Sequence, residues 1–212
     1  MSKITKINDF EYEVYKKLRN FPKKKKHILF LDEMKDDPFD HNLYYNYPKS
    51  LELNSKYYWS RIDKFLKLLK KETGITTLIA AAHRRKKDDL PINQKFIFNK
   101  TAHLIKDAKL VISHSSTAVL LAVLFKKPII LLNIKEFKKK QTSILNIKNF
   151  QKLLGCNIIN LEQTLTINKF SLEKNLNIDE NKYNKFIDYY LRFKEVKETD
   201  LWDKIINKLK KK

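Results

Sequence analysis

Short apolar runs alternate along this chain with stretches in which apolar positions recur at helical spacing. His27-Ile-Leu-Phe-Leu31, Thr76-Thr-Leu-Ile-Ala-Ala81, Leu110-Val-Ile-Ser113 and Pro128-Ile-Ile-Leu-Leu-Asn133 suit strands buried on both faces. Residues 95–98 and 156–161 predict two further short strands. Between the first two runs, Tyr58, Ile62, Phe65, Leu66 and Leu69 form one stripe of a helix reaching about Glu72. Asn54 or Ser55 caps its start, and Gly74 stands where a C-terminal cap is expected. Residues 101–108 predict a short helix, the apolar segment after Thr117 another, and a Lys-rich helical stretch ends near Gly155. Two amphipathic helices with aromatic faces follow, over 179–196 (Tyr183, Phe186, Tyr189, Tyr190) and 201–211 (Trp202, Ile205, Leu209). There is no internal repeat.

Strands apolar on both faces, alternating with helices, predict an α/β fold. The expectation is a single Rossmann-like domain with a mostly parallel sheet flanked by helices, plus C-terminal helices. Residues 1–26 read as a basic leader with one helix over Phe10 to Leu18, residues 27–165 as the Rossmann-like domain, and 166–212 as a helical extension packing on it. In open parallel sheets ligands gather outside the carboxyl ends of the strands. Three polar clusters fall just past such ends: Asp32 and Glu33, then His83, Arg84 and Arg85, then His114, Ser115, Ser116 and Thr117. All three are expected to line one edge.

Each cluster suggests its own chemistry. Ser115, Ser116 and Thr117 lie between a strand and an apolar helix, where unpaired N–H groups and hydroxyls favour a phosphate. An ordinary N-cap has the same composition. His83 offers an imidazole, the side chain that titrates near neutral pH, and Arg84 and Arg85 offer planar donors for a diphosphate or phosphodiester. Lys86 and Lys87 read as a solvated basic loop. Asp32 and Glu33 can hold a sugar hydroxyl, take a metal or act as a base, or simply cap the loop and pair with a nearby Lys. Asp36, Asp37 and Asp40 add acidity to that loop without the Gly and terminal Glu of a calcium-binding one. His114 is compatible with two orientations, into the site or under the sheet. His103 reads as a surface or half-buried residue, and Cys156 as a small core residue.

Composition narrows the classes. Hydrophobic residues make up 42% of the 212, enough for a globular core. The formal net charge of +21 suggests nucleic acid, yet Lys greatly outnumbers Arg, and Asn and Ile are abundant. A general compositional bias therefore accounts for part of the charge, and the remainder favours anionic partners. With only two glycines, neither a Walker phosphate loop nor a Gly-x-Gly-x-x-Gly fingerprint is possible. No nucleophile elbow, His-Glu-x-x-His helix or cysteine pair is present, so no metal site is expected. One cysteine permits no internal disulfide and fits a reducing, cytoplasmic setting. No signal peptide or membrane-spanning run is visible.

Strand, His-containing turn, short helix, strand, Ser-Ser-Thr turn and apolar helix, in that order, resemble the donor-binding half of GT-B glycosyltransferases. The likeness is to bacterial sialyltransferases, polysialyltransferases and capsule or lipopolysaccharide enzymes that use CMP-activated acidic sugars. Ala82-His83-Arg84 stands for their His-Pro motif, Ser115-Ser116-Thr117 for their Ser/Thr motif, and Phe30-Leu31-Asp32-Glu33 looks like the first strand of the same domain. It covers roughly residues 26–161, and Arg84 stands where those families carry Pro. The resemblance implies metal-independent displacement at the anomeric carbon, with no cofactor beyond the nucleotide-sugar donor. The helix start with Ser115, Ser116 and Thr117 would hold the CMP phosphate, His83 would stabilise or protonate it as it leaves, and Arg84 or Arg85 would offset its charge. The acceptor would be a glycan or lipid-linked. GT-B enzymes close two domains around their substrates, and this chain holds one. The expectation is therefore a piece of a longer enzyme, a shortened reading frame, or a site completed by another chain, unless Asp32 or Glu33 has become the base. The Lys-rich leader and the Lys208–Lys212 tail either touch anionic lipid at the inner membrane face or only aid solubility.

Three other readings compete. A UDP-sugar enzyme of the 2-epimerase type shares the two-domain plan, and a non-catalytic remnant would bind nucleotide only. A basic nucleic-acid module would stack bases on Tyr44, Tyr45, Tyr57, Tyr58 and Trp59, but those positions also suit a core.

Overall fold

The structure is a computed structural model describing residues 9–24, 26–36, 53–88, 90–135, 141–162 and 176–192, with 206 and 210 besides. Asp37, Asp40, His41, Tyr44, Tyr45 and almost all of the 201–211 helix and Lys208–Lys212 tail lie outside the described residues. The elements are α1 (Phe10–Leu18), β1 (His27–Leu31), α2 (Ser55–Thr73), β2 (Thr77–Ala80), β3 (Phe96–Ile97), α3 (Thr101–Asp107) and β4 (Ala108–Ser113). There follow α4 (Val119–Leu124), β5 (Ile129–Asn133), α5 (Gln141–Leu154), β6 (Asn157–Asn160) and α6 (Glu180–Phe186), which runs on as a π-helical turn, Ile187–Leu191.

The six strands form one sheet in the order β3-β2-β1-β4-β5-β6, with every pair parallel. This is the Rossmann-like order, and it reverses direction between β1 and β4. The central strands owe their positions to their residues: all of β1 is buried, as are Leu110–Ser113 of β4 and Ile129–Leu132 of β5. Successive side chains of β1 serve opposite layers. Phe30 meets Trp59 of α2 edge-on at 6.3 Å, while His27 Nε2 bonds the Leu104 carbonyl of α3 at 3.1 Å.

Helix α2 forms where its sequence predicts. The Asn54 side chain accepts from Tyr57 N–H at its start, and Tyr58, Ile62, Phe65, Leu66 and Leu69 are all buried. Gly74 ends it at φ 67°, a left-handed conformation that a β-carbon disfavours. Nothing lies within 4 Å of a Cβ built there, so Gly74→Ala should cost only the backbone strain, about 1 kcal/mol. A urea midpoint equal to or above that of the parent would overturn this.

Residues 9–24 and 26 of the expected basic leader are described. Helix α1 matches its expected bounds, but Tyr12 and Leu18 belong to the common core, and Tyr15 packs on Phe125 at 5.0 Å. The Asp9 N–H also donates to the Leu191 carbonyl at 3.1 Å. Helix α6 packs on the domain, with buried Tyr183 donating its hydroxyl to the Lys127 carbonyl at 2.9 Å. Among the described residues no helix is long and apolar enough to cross a membrane.

Candidate functional site

The carboxyl ends of β1, β2 and β4 are neighbours, so the turns that follow them open on one edge. They enclose a cleft of about 360 Å³ lined by Asp32, Glu33, Met34, Lys35, Ala82, His83, Arg84, Ser115, Ser116 and Thr117. It sits at the point where the strand order reverses, the usual ligand position in such sheets. A larger concavity, about 740 Å³, lies elsewhere, between α5 and α6. Its polar groups are scattered along helix surfaces, whereas those of the strand-edge cleft converge from three turns, and convergence is what a ligand needs.

Asp32 and Glu33 leave the end of the central strand and reach in opposite directions. The Asp32 side chain is fully buried toward β2, where Arg85 Nε donates to its Oδ2 at 2.8 Å and Nη2 to its Oδ1 at 2.9 Å. The N–H groups of Ala82 and Met34 complete its shell at 3.2 and 2.9 Å. Glu33 turns toward β4. Its Oε1 accepts from Ser113 Oγ at 2.7 Å, His114 N–H at 2.7 Å and Ser115 N–H at 3.0 Å, while Lys35 Nζ lies 3.2 Å from Oε2. Burial by itself would raise the Glu33 pKa, but Lys35 and these donors outweigh it and hold the group below its ordinary value.

This arrangement bears on three expectations. The anion at the Ser turn is supplied by the protein: Glu33 already holds the His114 and Ser115 N–H groups that were expected to meet a phosphate. Both carboxylates accept from several donors, which suits them to bracing the turns. Arg85, expected to bind phosphate, is absent from the cleft lining. Its side chain is only 8% exposed and is engaged by Asp32 and Asp36, and although burial alone would disfavour its charge, these partners raise its pKa.

Of the two orientations expected for His114, into the site or under the sheet, the structure has the second, with the side chain fully buried. Its Nδ1 is 2.8 Å from the Leu132 carbonyl and its Nε2 is 3.0 Å from the Tyr58 hydroxyl. A carbonyl only accepts, so Nδ1 carries the proton and Nε2 accepts from Tyr58. Burial lowers the His114 pKa, against the opposing pull of Glu33, and keeps the ring neutral.

His83, Arg84, Lys35, Ser115, Ser116 and Thr117 line the cleft, and the Ser115 hydroxyl also donates to Glu33 Oε2 at 3.5 Å. His83 is exposed, and its ring bonds no other described residue. Ser116 Oγ accepts from Ala118 N–H at 3.2 Å, which leaves its own proton to donate. Lys35 Nζ reaches Ser115 Oγ at 3.3 Å and so joins Glu33 to the hydroxyl row. The sequence gives no sign of Lys35, one of 45 basic residues. Met34 stands beside these groups at φ 48°, a left-handed conformation costing about 1–2 kcal/mol in a non-glycine residue.

The other candidates fall elsewhere. His103 is exposed on α3, and Cys156 is half-buried, its thiol pushed by burial up to about 12. Trp59 and Tyr58 are buried in the core, and Tyr57 lies under Arg61, 5.0 Å from its ring. Among the described residues no group of three His, Cys, Asp or Glu side chains is placed to hold a metal ion.

No protein-family model matches the sequence, and no curated protein matches it significantly. Solved structures of the wall teichoic acid polymerase TagF resemble the chain. One aligns with 16% identity and a TM-score of 0.48, over 95% of this chain and 47% of the polymerase. A variant soaked with CDPG aligns with 20% identity and a TM-score of 0.48, over 95% of this chain and 45% of its own. The chain thus spans about half the length of the solved structures it matches.

Proposed function

We propose that this chain is the donor-binding half of a glycosyltransferase that takes a nucleotide-activated sugar, a CMP-linked acidic sugar in particular, for surface polysaccharide synthesis. The observation that carries the reading is the meeting of His83, Arg84, Ser115, Ser116 and Thr117 in one cleft at the reversal of strand order. Hydroxyls of Ser116 and Thr117 donate to the phosphate, and Arg84 and Lys35 balance its charge. His83, at the open side, donates to a phosphoryl oxygen and protonates the nucleotide phosphate as the bond to the anomeric carbon breaks. Asp32 and Glu33 brace the flanking turns in this scheme. The base that activates a glycan or lipid-linked acceptor comes from a second domain or chain. Such an enzyme works at the cytoplasmic face of a membrane, where the basic surface favours anionic lipid.

Thermal shifts with CMP, CDP, UDP and a short RNA in moderate salt test the reading. CMP at about a hundred times its Kd should stabilise the fold by about 2.7 kcal/mol, and both Ser116→Ala and His83→Ala should abolish that rise. A UDP-selective shift would point to a UDP-sugar enzyme instead. Salt-sensitive RNA binding with no mononucleotide effect would replace the proposal with a nucleic-acid module.

A further inference from the structure

Arg85 does not line the cleft, yet it touches what frames one side of it. Its guanidinium forks between Asp32, at the end of β1, and Asp36, whose Oδ1 lies 2.8 Å from Nη2. It also stands 4.9 Å from the ring of Trp59 on α2. Asp36 is fixed in turn by Trp59 Nε1 at 2.7 Å and Ser55 Oγ at 2.9 Å. The turn carrying His83 and Arg84 is closed by Arg85 N–H donating to the Ala82 carbonyl at 3.0 Å. Asp32 holds that turn at both ends, through the Ala82 N–H and the Arg85 side chain.

The geometry points to Arg85 as a positioning residue: with Asp32 and Asp36 it fixes the Ala82–Arg85 turn so that His83 and Arg84 face the cleft. The link to ligand binding rests on the nucleotide reading above, whereas the link to turn geometry does not. One planar group bonds two carboxylates from different points of the chain and lies against an indole. A lysine keeps the charge but cannot reproduce that fork. Arg85→Met strands two buried carboxylates and risks misfolding, so Arg85→Lys and Asp36→Asn carry the test, with Ile62→Val as a core variant that loses stability without touching the turn.

Hydrogen exchange is followed by mass spectrometry on the full chain without ligand, and CMP affinity is measured by calorimetry. In Arg85→Lys and Asp36→Asn, exchange over residues 82–86 should quicken roughly tenfold or more, with β1 and β4 no more affected than in Ile62→Val. The CMP Kd should rise roughly tenfold in the same two variants, and not in Ile62→Val. Exchange over 82–86 that matches Ile62→Val would overturn the proposal, as would faster exchange with unchanged CMP affinity. A parent protein that binds no CMP would sink the nucleotide reading alone, and exchange would then decide whether Arg85 fixes the turn.

Discussion

Glu33→Ala should lower stability by about 3 kcal/mol, among the largest losses available at an edge that borders solvent. The carboxylate accepts from Ser113 Oγ and from the N–H groups of His114 and Ser115. Each orphaned donor costs about 1–3 kcal/mol, and the cleft admits water to some of them, which keeps the sum near the low end. Glu33→Gln should lose roughly half as much, because one acceptor oxygen survives while the amide N–H₂ opposes the remaining donors. Urea denaturation followed by far-ultraviolet circular dichroism measures both. A Glu33→Ala protein within about 0.5 kcal/mol of the parent would place the carboxylate among ordinary surface groups and remove its bracing part.

Stability should also fall in two stages as the solution is acidified. His114 and His27 are both held below their ordinary value of 6.5, chiefly by burial. As pH falls through that value the unfolded chain protonates first, so each histidine lowers stability by at most about 1.4 kcal/mol per pH unit. Glu33 and Asp36 lie below their ordinary 4.5 and 3.8. Burial opposes this in both, and it is outweighed by Lys35 and the turn donors at Glu33 and by Arg85 and Trp59 at Asp36. Their stabilisation is complete above those ordinary values and is lost as pH falls through the lower folded ones. Urea midpoints should therefore decline gently below about 6.5, with Glu11, whose pKa burial raises to about 7, offsetting part of the histidine loss, and steeply below about 4.5. His114→Phe should flatten part of the gentle stage. A midpoint constant down to about pH 4.5 would show that the buried imidazoles do not govern the first decline.

Much of this fold is legible in local pattern. The runs at 27–31 and 128–133 are apolar on both faces and became central strands. Asn54 and Gly74 bracket α2 because cap chemistry depends on a few adjacent residues. The candidate edge was legible through the rule that ligands gather at strand ends, which needs only the direction of each strand. Partnerships between distant residues were less so. Arg84 and Arg85 are adjacent and identical, and only the position of Asp32 and Asp36 turns one inward and leaves the other at the cleft. Ser115 looks like a free anion-binding group until Glu33, 82 positions away, is seen to fill its N–H. Lys35 belongs to the same case, since among so many lysines only its contact with Glu33 and Ser115 singles it out.

By itself the sequence determined the α/β alternation, the strand and helix segments and the three polar turns, because backbone propensity and burial periodicity act over neighbouring residues. Only the tertiary structure decided that β1 lies between β2 and β4, sending Asp32 to one side and Glu33 to the other. That order rests on packing and on charges meeting across dozens of residues.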